Sequence, residues 1–347
     1  MKRLIAIDAD VLGRRRTGDE TYVASLLREL APIADQERLV AITRRPDLVP
    51  DGVDSVTVPA RNQVVRMSVK LPRALRRLRP DLAHFLYALP PGYPGRTVVT
   101  VHDLSFEHFP DVMGLRDRFL FRTQVPRAVR KAARVLTGSE WTKRDLVERY
   151  GLEPDKVVVT PYGADPIYRP DGPRAEGTYA LFVGAIQPRK DPLAALEALT
   201  LVNGDLRLVL VGPAKLEANR VHEAVERLGL ERRVDFRGHV ERDELAALYR
   251  GAQLLVFPSR YEGFGLPVLE AMASGTPVVA TRAGAVPEVA GDAAVLVDPG
   301  DPAALAAGME RALAERERLA AAGLERARMF SWAETARRTL EVYRELV

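Results

Sequence analysis

The residues best equipped for chemistry lie in the second half of the chain. The run Ser259-Arg-Tyr-Glu262-Gly-Phe-Gly-Leu-Pro-Val-Leu-Glu270 sets two glutamates around a loop that carries two glycines. Pro267 stands where the first turn of a helix tolerates proline, so Gly263, Phe264, Gly265 and Leu266 read as the approach to a helix amino terminus. Backbone amides in such a place suit an anion. Glu262 falls in the loop and Glu270 one turn into the helix, so both carboxylates can line one cleft. Two acids beside an anion repel it unless they accept hydrogen bonds from hydroxyls, which a sugar and a ribose supply. The plainer reading is a helix capped by Glu262 with Glu270 on a wet face. Against it, Leu266, Val268, Leu269, Ala271, Met272 and Ala273 make the helix apolar on nearly every side, and a carboxylate buried there needs a partner.

A second group is Val183-Gly184-Ala-Ile-Gln-Pro-Arg189-Lys190-Asp191, which ends a strand and opens a helix. Two adjacent cations there can neutralise a diphosphate. As mere surface charge on a first helical turn they would oppose the helix dipole. In the first half, Val98–Asp103 runs as a strand into His102, and the carboxyl end of a parallel strand faces a ligand cleft. The loop Gly13–Thr21 holds Gly18, which lets backbone approach a phosphate, and Arg14, Arg15 and Arg16, which suit an acidic acceptor. Asp8 and Asp10 have the look of a metal-binding acid pair, but a metal needs more oxygen ligands than they offer, and no metal is expected.

The segment EGFGLPVLEAMASGTPVVAT, followed by AGAVPEVAGDAAVLVDPGDP, resembles nearly position for position the donor-site signature of the family 4 retaining glycosyltransferases. That resemblance implies an α/β chain of GT-B type, two Rossmann-like doubly wound domains facing a cleft. It implies transfer of a hexosyl group, with retention, from a UDP- or GDP-sugar to a glycan, a lipid-linked or a small-molecule acceptor. By the same resemblance Glu262 contacts the transferred sugar and Glu270 the nucleotide ribose, Arg189 and Lys190 stabilise the leaving group, and His102 lies beside the sugar. Gly18, Gly184, Val240, Gly263, Phe264, Gly265 and Leu266 complete the donor site, with the base near Arg237–Val240. The nucleotide sugar is then a co-substrate, with no metal and no further cofactor. Family members often carry a glycine pair where Gly13 and Gly18 stand apart here. A sugar-nucleotide epimerase and a catalytically silent partner of the same fold stay open as alternatives.

These residues need elements to position them. Short apolar runs alternate with longer amphipathic segments, the pattern of parallel sheets wrapped by helices. Strands are expected at Leu4–Asp8, Leu39–Thr43, Ser55–Val58, Asp81–Leu86, Thr97–His102, Val135–Gly138 and Val157–Thr160, then at Tyr179–Gly184, Leu206–Val211, Val234–Arg237, Leu254–Pro258, Pro277–Thr281 and Ala294–Val297. Between the two series, Pro161–Gly177 carries four prolines and three glycines and reads as a linker. An acceptor-side domain over 1–165 and a donor domain over 166–330 are expected, with a last helix over 331–347 returning to the first.

Bulk properties narrow the partners. Residues 1–170 hold 29 Lys and Arg against 21 Asp and Glu, a net +8, whereas residues 171–347 hold 22 against 26, a net −4. The first half is therefore suited to something anionic. Arg61–Pro80 has seven basic residues and no acid, with Leu71, Leu75, Leu78 and Leu82 at helical spacing. It reads as a solvated helix on the sheet or as a segment docking on anionic lipid. Nucleic acid is not expected, because the charges are not interleaved with stacking aromatics. A dinucleotide enzyme is disfavoured, since neither first strand leads into a Gly-x-Gly-x-x-Gly turn. No apolar run approaches the ~18–20 residues of a membrane span, and MKRLIAIDAD does not resemble a signal peptide. A cytoplasmic protein, docking at most on the inner face of a membrane, is expected.

Overall fold

The computed structural model describes residues 2–14, 17–109, 113–214 and 217–347, with the backbone alone at Thr17. The chain divides into two compact units: Met1–Glu107 with Met113–Tyr162 and Ser331–Val347, and His108–Val112 with Gly163–Phe330.

Unit 1 is built on β1 (Arg3–Asp8), β2 (Glu37–Thr43), β3 (Asp54–Thr57), β4 (Leu82–Leu86), β5 (Thr97–Thr100), β6 (Arg134–Thr137) and β7 (Val157–Val159). They form one sheet in the order β3-β2-β1-β4-β5-β6-β7, parallel at each pairing, with Ile5 of β1 between Leu39 and Leu82. Such strands are covered on both faces and so read as continuous apolar runs rather than alternating ones; all of Thr97–Thr100 is buried.

Unit 2 repeats the plan with β8 (Tyr179–Val183), β9 (Arg207–Val211), β10 (Val234–Gly238), β11 (Leu254–Phe257), β12 (Val278–Thr281) and β13 (Val295–Val297), ordered β10-β9-β8-β11-β12-β13. Its core gathers Phe182, Leu196, Leu199, Leu210, Val256 and Met309. Two parallel sheets wrapped by helices match the expected α/β class. Pro161–Gly177 contains no helix or strand, as its prolines and glycines suggest.

The last helix, Trp332–Leu346, packs on the Thr17–Leu30 helix in unit 1. Ser331 caps it, its Oγ accepting from the Glu334 amide at 3.1 Å. Its far end is tied to the sheet by Tyr343 to His84 (2.5 Å) and Arg344 to Glu37 (2.8 Å).

The basic segment is helical without a break from Gln63 to Leu78, as its leucine spacing suggests, but only in part α-helical: an α-turn at Gln63–Val65 runs through a π-helical stretch at Arg66–Lys70 into an α-helix at Leu71–Leu78. Arg66 does not join the solvated basic face: it is fully buried, with Nη2 and Nη1 on the two Asp8 oxygens at 2.5 and 3.0 Å. The extra residue of a π-turn is a common device where a helix must re-aim a side chain.

Candidate active site

In each sheet the strand order reverses beside the first strand, between β1 and β4 and between β8 and β11. Loops leaving the carboxyl ends of such strands diverge and open a crevice, where doubly wound sheets hold ligands. In unit 2 the loop after β8 is the Gly184–Asp191 motif, and the loop after β11 carries Glu262. Topology therefore brings together two groups that are 72 residues apart.

The contact is close. Lys190 Nζ donates to Glu262 Oε1 at 2.6 Å, and Arg189 Nη1 reaches Glu262 Oε2 at 3.4 Å and the Tyr261 carbonyl at 2.9 Å. Lys190 is 8% and Glu262 6% exposed. Lys190 Nζ also lies 4.9 Å from the centre of the Phe257 ring, within cation–π reach. The backbone joins the two loops as well, with the Arg260 amide on the Arg189 carbonyl at 2.8 Å. Asp191, at φ 50°, caps the Pro192–Leu201 helix and accepts from Arg260 Nε at 2.6 Å. Burial pushes the Glu262 carboxyl up, but the Lys190 ammonium and Arg189 guanidinium together outweigh it and hold the group below its usual value. The triad is two cations on one carboxylate, a net +1 in a site largely closed to water.

Two glycines make the crowding possible. A Cβ on Gly284 would stand 2.1 Å from the Glu262 carbonyl, which accepts from the Ala285 amide at 2.9 Å. A Cβ on Gly212 would stand 2.1 Å from the Gly184 carbonyl, so the loop after β9 presses on the loop after β8. The Gly212 amide donates to Gly238 at 2.7 Å, which places the turn carrying Val240 next in the same row of loops.

Gly263, Phe264 and Gly265 are buried and lead into the helix Leu266–Ala273, with Leu266 partly exposed; Gly265 has φ 100°, a conformation that suits glycine alone. One turn on, Glu270 accepts from the Tyr249 hydroxyl at 2.9 Å, and Tyr249 meets Tyr168 edge-on at 5.5 Å. Burial raises the Glu270 carboxyl to about 7, against the pull of the Tyr249 hydrogen bond and of Arg242. One glutamate is thus held ionised and the other titrates near neutrality.

In unit 1, His102 follows β5 and is ringed by aromatics: Tyr22 at 4.8 Å, Tyr162 at 5.5 Å and Tyr87 at 5.7 Å between ring centres. Its Nδ1 is 2.6 Å from the Tyr162 hydroxyl, and its Nε2 is 3.7 Å from Asp19. Tyr87, directly after β4, has φ 57°. A non-glycine residue in that region costs of order 1–3 kcal/mol and marks sites where geometry is imposed. Gly18 is the second residue of the Thr17–Leu30 helix, in unit 1 rather than with the other residues expected at the donor, and among the described residues nothing lies within 4 Å of where its Cβ would be. Arg15 and Arg16 lie outside the described residues. Asp8 and Asp10 are committed to cations: Asp8 to Arg66, Asp10 to Arg44 at 2.8 and 3.1 Å and to Arg14. Three guanidinium groups on two carboxylates leave this cluster one positive charge in excess.

Sequence reasoning missed Asp19, Tyr22, Tyr87 and Tyr162 around His102, and Tyr249 on Glu270. A signal existed for two of them: Tyr87 and Tyr162 each follow closely on a strand's carboxyl end.

Residues 166–328 match the family described as Glycosyl transferases group 1, and residues 16–167 match Glycosyltransferase Family 4. The O-antigen chain mannosyltransferase B of Escherichia coli is 30% identical over 270 residues, covering 72% of this chain and 71% of that protein. The D-inositol 3-phosphate glycosyltransferase of Acidothermus cellulolyticus is 35% identical over 240 residues, 62% of this chain; the match spans 54% of that relative's length. Among solved structures, Anabaena Alr3699/HepE in complex with UDP and glucose has a TM-score of 0.77 at 19% identity, covering 99% of this chain and 100% of that one.

Proposed function

The chain belongs to the group 1, family 4 glycosyl transferases and is a glycosyltransferase of GT-B fold; on that premise we propose that it moves a hexosyl group, with retention, from a UDP- or GDP-sugar to an acceptor hydroxyl. The observation that carries the reading is the Arg189–Lys190–Glu262 triad at the switch point of unit 2, its lysine and glutamate buried and its net charge positive. In the transfer the bond from the sugar C1 to the diphosphate oxygen breaks and the diphosphate takes the electron pair. The acceptor oxygen bonds to C1 from the same face, and its proton passes to the departing phosphate. Lys190 and Arg189 meet the charge that grows on the leaving group, already oriented and in a site where such donors act strongly. Glu262 holds Lys190 in place and offers oxygen to the sugar hydroxyls, while Glu270 accepts from the ribose.

The leaving-group charge is met by these cations and not by a metal in this reading. Asp8 and Asp10, the acids a metal would need in unit 1, are already paired with arginines. The cation in excess about Asp8 and Asp10 favours an acceptor carrying a phosphate or carboxylate, in line with the inositol phosphate named for one relative.

A lipid-linked acceptor is supported by a second surface of unit 1. Arg61, Lys70, Arg73, Arg76, Arg77 and Arg79 are exposed, and Val64, Val65 and Val69 stand exposed on the same segment. Cations mixed with apolar side chains suit the headgroup boundary of an anionic bilayer, which supports docking at the inner face of a membrane. Among the described residues no helix is long and apolar enough to cross one.

Thermal-shift measurements against UDP-, GDP- and ADP-sugars test the donor assignment. A ligand at ~100 times its dissociation constant adds ~2.7 kcal/mol of stability. UDP, which HepE binds, is the first nucleotide to try. No shift with any of them contradicts the reading.

A further inference from the structure

The two ring nitrogens of His102 face different chemistry. Nδ1 is 2.6 Å from the Tyr162 hydroxyl oxygen. Nε2 is buried, has no hydrogen-bond partner among the described residues, and lies 3.7 Å from Asp19 Oδ1. The Tyr162 ring is itself fixed. It stacks on Trp332 with 5.6 Å between centres and 15° between planes, and a Cβ on Gly138 would come within 2.7 Å of it. Tyr162 is the residue at which the chain leaves unit 1, and Trp332 is the second residue after it returns.

We propose that Tyr162 is a positioning residue that holds His102 as the neutral imidazole with its proton on Nε2, leaving Nε2–H as a donor to a hydroxyl or phosphate oxygen of the substrate. The proposal rests on the reading of His102 as a substrate-facing group.

A neutral imidazole has one N–H and one lone pair, and its neighbours decide which nitrogen carries which. A lone pair on Nε2 would point its negative end toward the Asp19 carboxylate; an N–H there is attracted instead. With the proton on Nε2, Nδ1 accepts, and the Tyr162 hydroxyl is the donor it meets. Burial keeps that phenol protonated, well above its ordinary range. Burial likewise lowers His102 below its ordinary value, although Asp19 and Asp103 pull it the other way. Among the described residues the other ionisable neighbours are Tyr22 and Tyr87, together with His84, which burial lowers to about 3 and keeps uncharged. The neutral form is thus favoured, and a single donor hydroxyl selects its tautomer.

The geometry also separates two kinds of defect. Losing the Tyr162 hydroxyl removes a bond made to the neutral ring, so the imidazolium gains relative to it and His102 should protonate at higher pH. Losing only packing would leave the proton where it is.

Nitrogen-15 NMR of the intact chain labelled in its histidines reads the tautomer directly, with His102→Gln assigning the signal. The wild type at neutral pH should show a single Nε2–H tautomer. In Tyr162→Phe, which keeps the ring and its stack on Trp332, the two tautomers should mix. There kcat should fall about tenfold, the value of one lost hydrogen bond, with the donor KM little changed and the acid limb of kcat displaced to higher pH. An Nδ1–H tautomer in the wild type overturns the proposal, as does a Tyr162→Phe enzyme with unaltered tautomer and acid limb. Full turnover in His102→Gln, with Nε2–H seen in the wild type, would overturn the substrate-facing reading and leave the tautomer assignment standing.

Discussion

Replacing Glu270 with glutamine should make the protein more stable at alkaline pH and worse at binding nucleotide. The carboxyl lies in the Leu266–Ala273 helix with one hydrogen bond, from Tyr249, and burial moves it from 4.5 to about 7. The folded state therefore holds a proton that the unfolded chain releases, and stability drains away as pH rises from about 4.5 through about 7. A displacement of that size is worth roughly 3 kcal/mol if wholly expressed, at ~1.4 kcal/mol per pH unit. Glu270 keeps partial contact with solvent, which screens it, so roughly 1–3 kcal/mol is the working figure. Glutamine matches the protonated form in shape and still accepts from Tyr249. Thermal melts of wild type and Glu270→Gln should coincide below about pH 4.5 and separate by about 3–10 °C at about pH 8, the variant melting higher. The ionised carboxylate is the better acceptor of ribose hydroxyls, so wild-type nucleotide affinity should weaken as pH falls below about 7 and the variant's should be weaker and flat. Coincident melts at alkaline pH, or a variant that is less stable throughout, would refute the reasoning.

Arg66→Ala should cost unit 1 about 3–5 kcal/mol in denaturant titrations, because it strands Asp8 without its buried partner while Asp10 keeps Arg44 and Arg14; adding Asp8→Asn should recover part of the loss. Glu262→Gln should lower turnover far more than nucleotide affinity, since Glu262 contacts Lys190 and Arg189, the cations proposed to meet the leaving group; equal losses in both, by kinetics and calorimetry, would merge its role with the one proposed for Glu270. Binding to vesicles containing anionic lipid should be strong at low salt, fall steeply as salt screens the charges, and vanish on charge reversal at Arg73, Arg76 and Arg77 with donor affinity unchanged. No binding at low salt leaves the segment a solvated helix.

The parallel two-sheet α/β plan was legible because most of the buried strands are short apolar runs and most of the turns between elements carry glycine, proline or a capping residue. The positions of the two loop motifs were legible for a related reason: Gly184–Lys190 and Glu262–Glu270 are each continuous in sequence, and each follows a strand. Their meeting was not, since only the reversal of strand order between β8 and β11 puts Lys190 on Glu262. Arg66 was misplaced because helical spacing of the leucines around it hides the π-stretch, and its partner Asp8 is 58 residues away. The aromatic ring about His102 draws Tyr22, Tyr87 and Tyr162 from three separate elements, a pattern that no local spacing records. Gly284 had no visible role until its missing Cβ was seen to make room for the Glu262 carbonyl.

The central claim is that Arg189 and Lys190 carry the leaving-group charge of a nucleotide-sugar transfer. Release of nucleoside diphosphate from UDP- and GDP-sugars by purified enzyme, measured in saturating EDTA for wild type and Lys190→Ala, tests it most directly. The wild type should turn over at a rate EDTA scarcely alters, and Lys190→Ala should lose ~10²–10³ in kcat, the usual cost of removing one preorganised donor. Wild-type activity that disappears in EDTA and returns with manganese would contradict the assignment and return attention to Asp8 and Asp10.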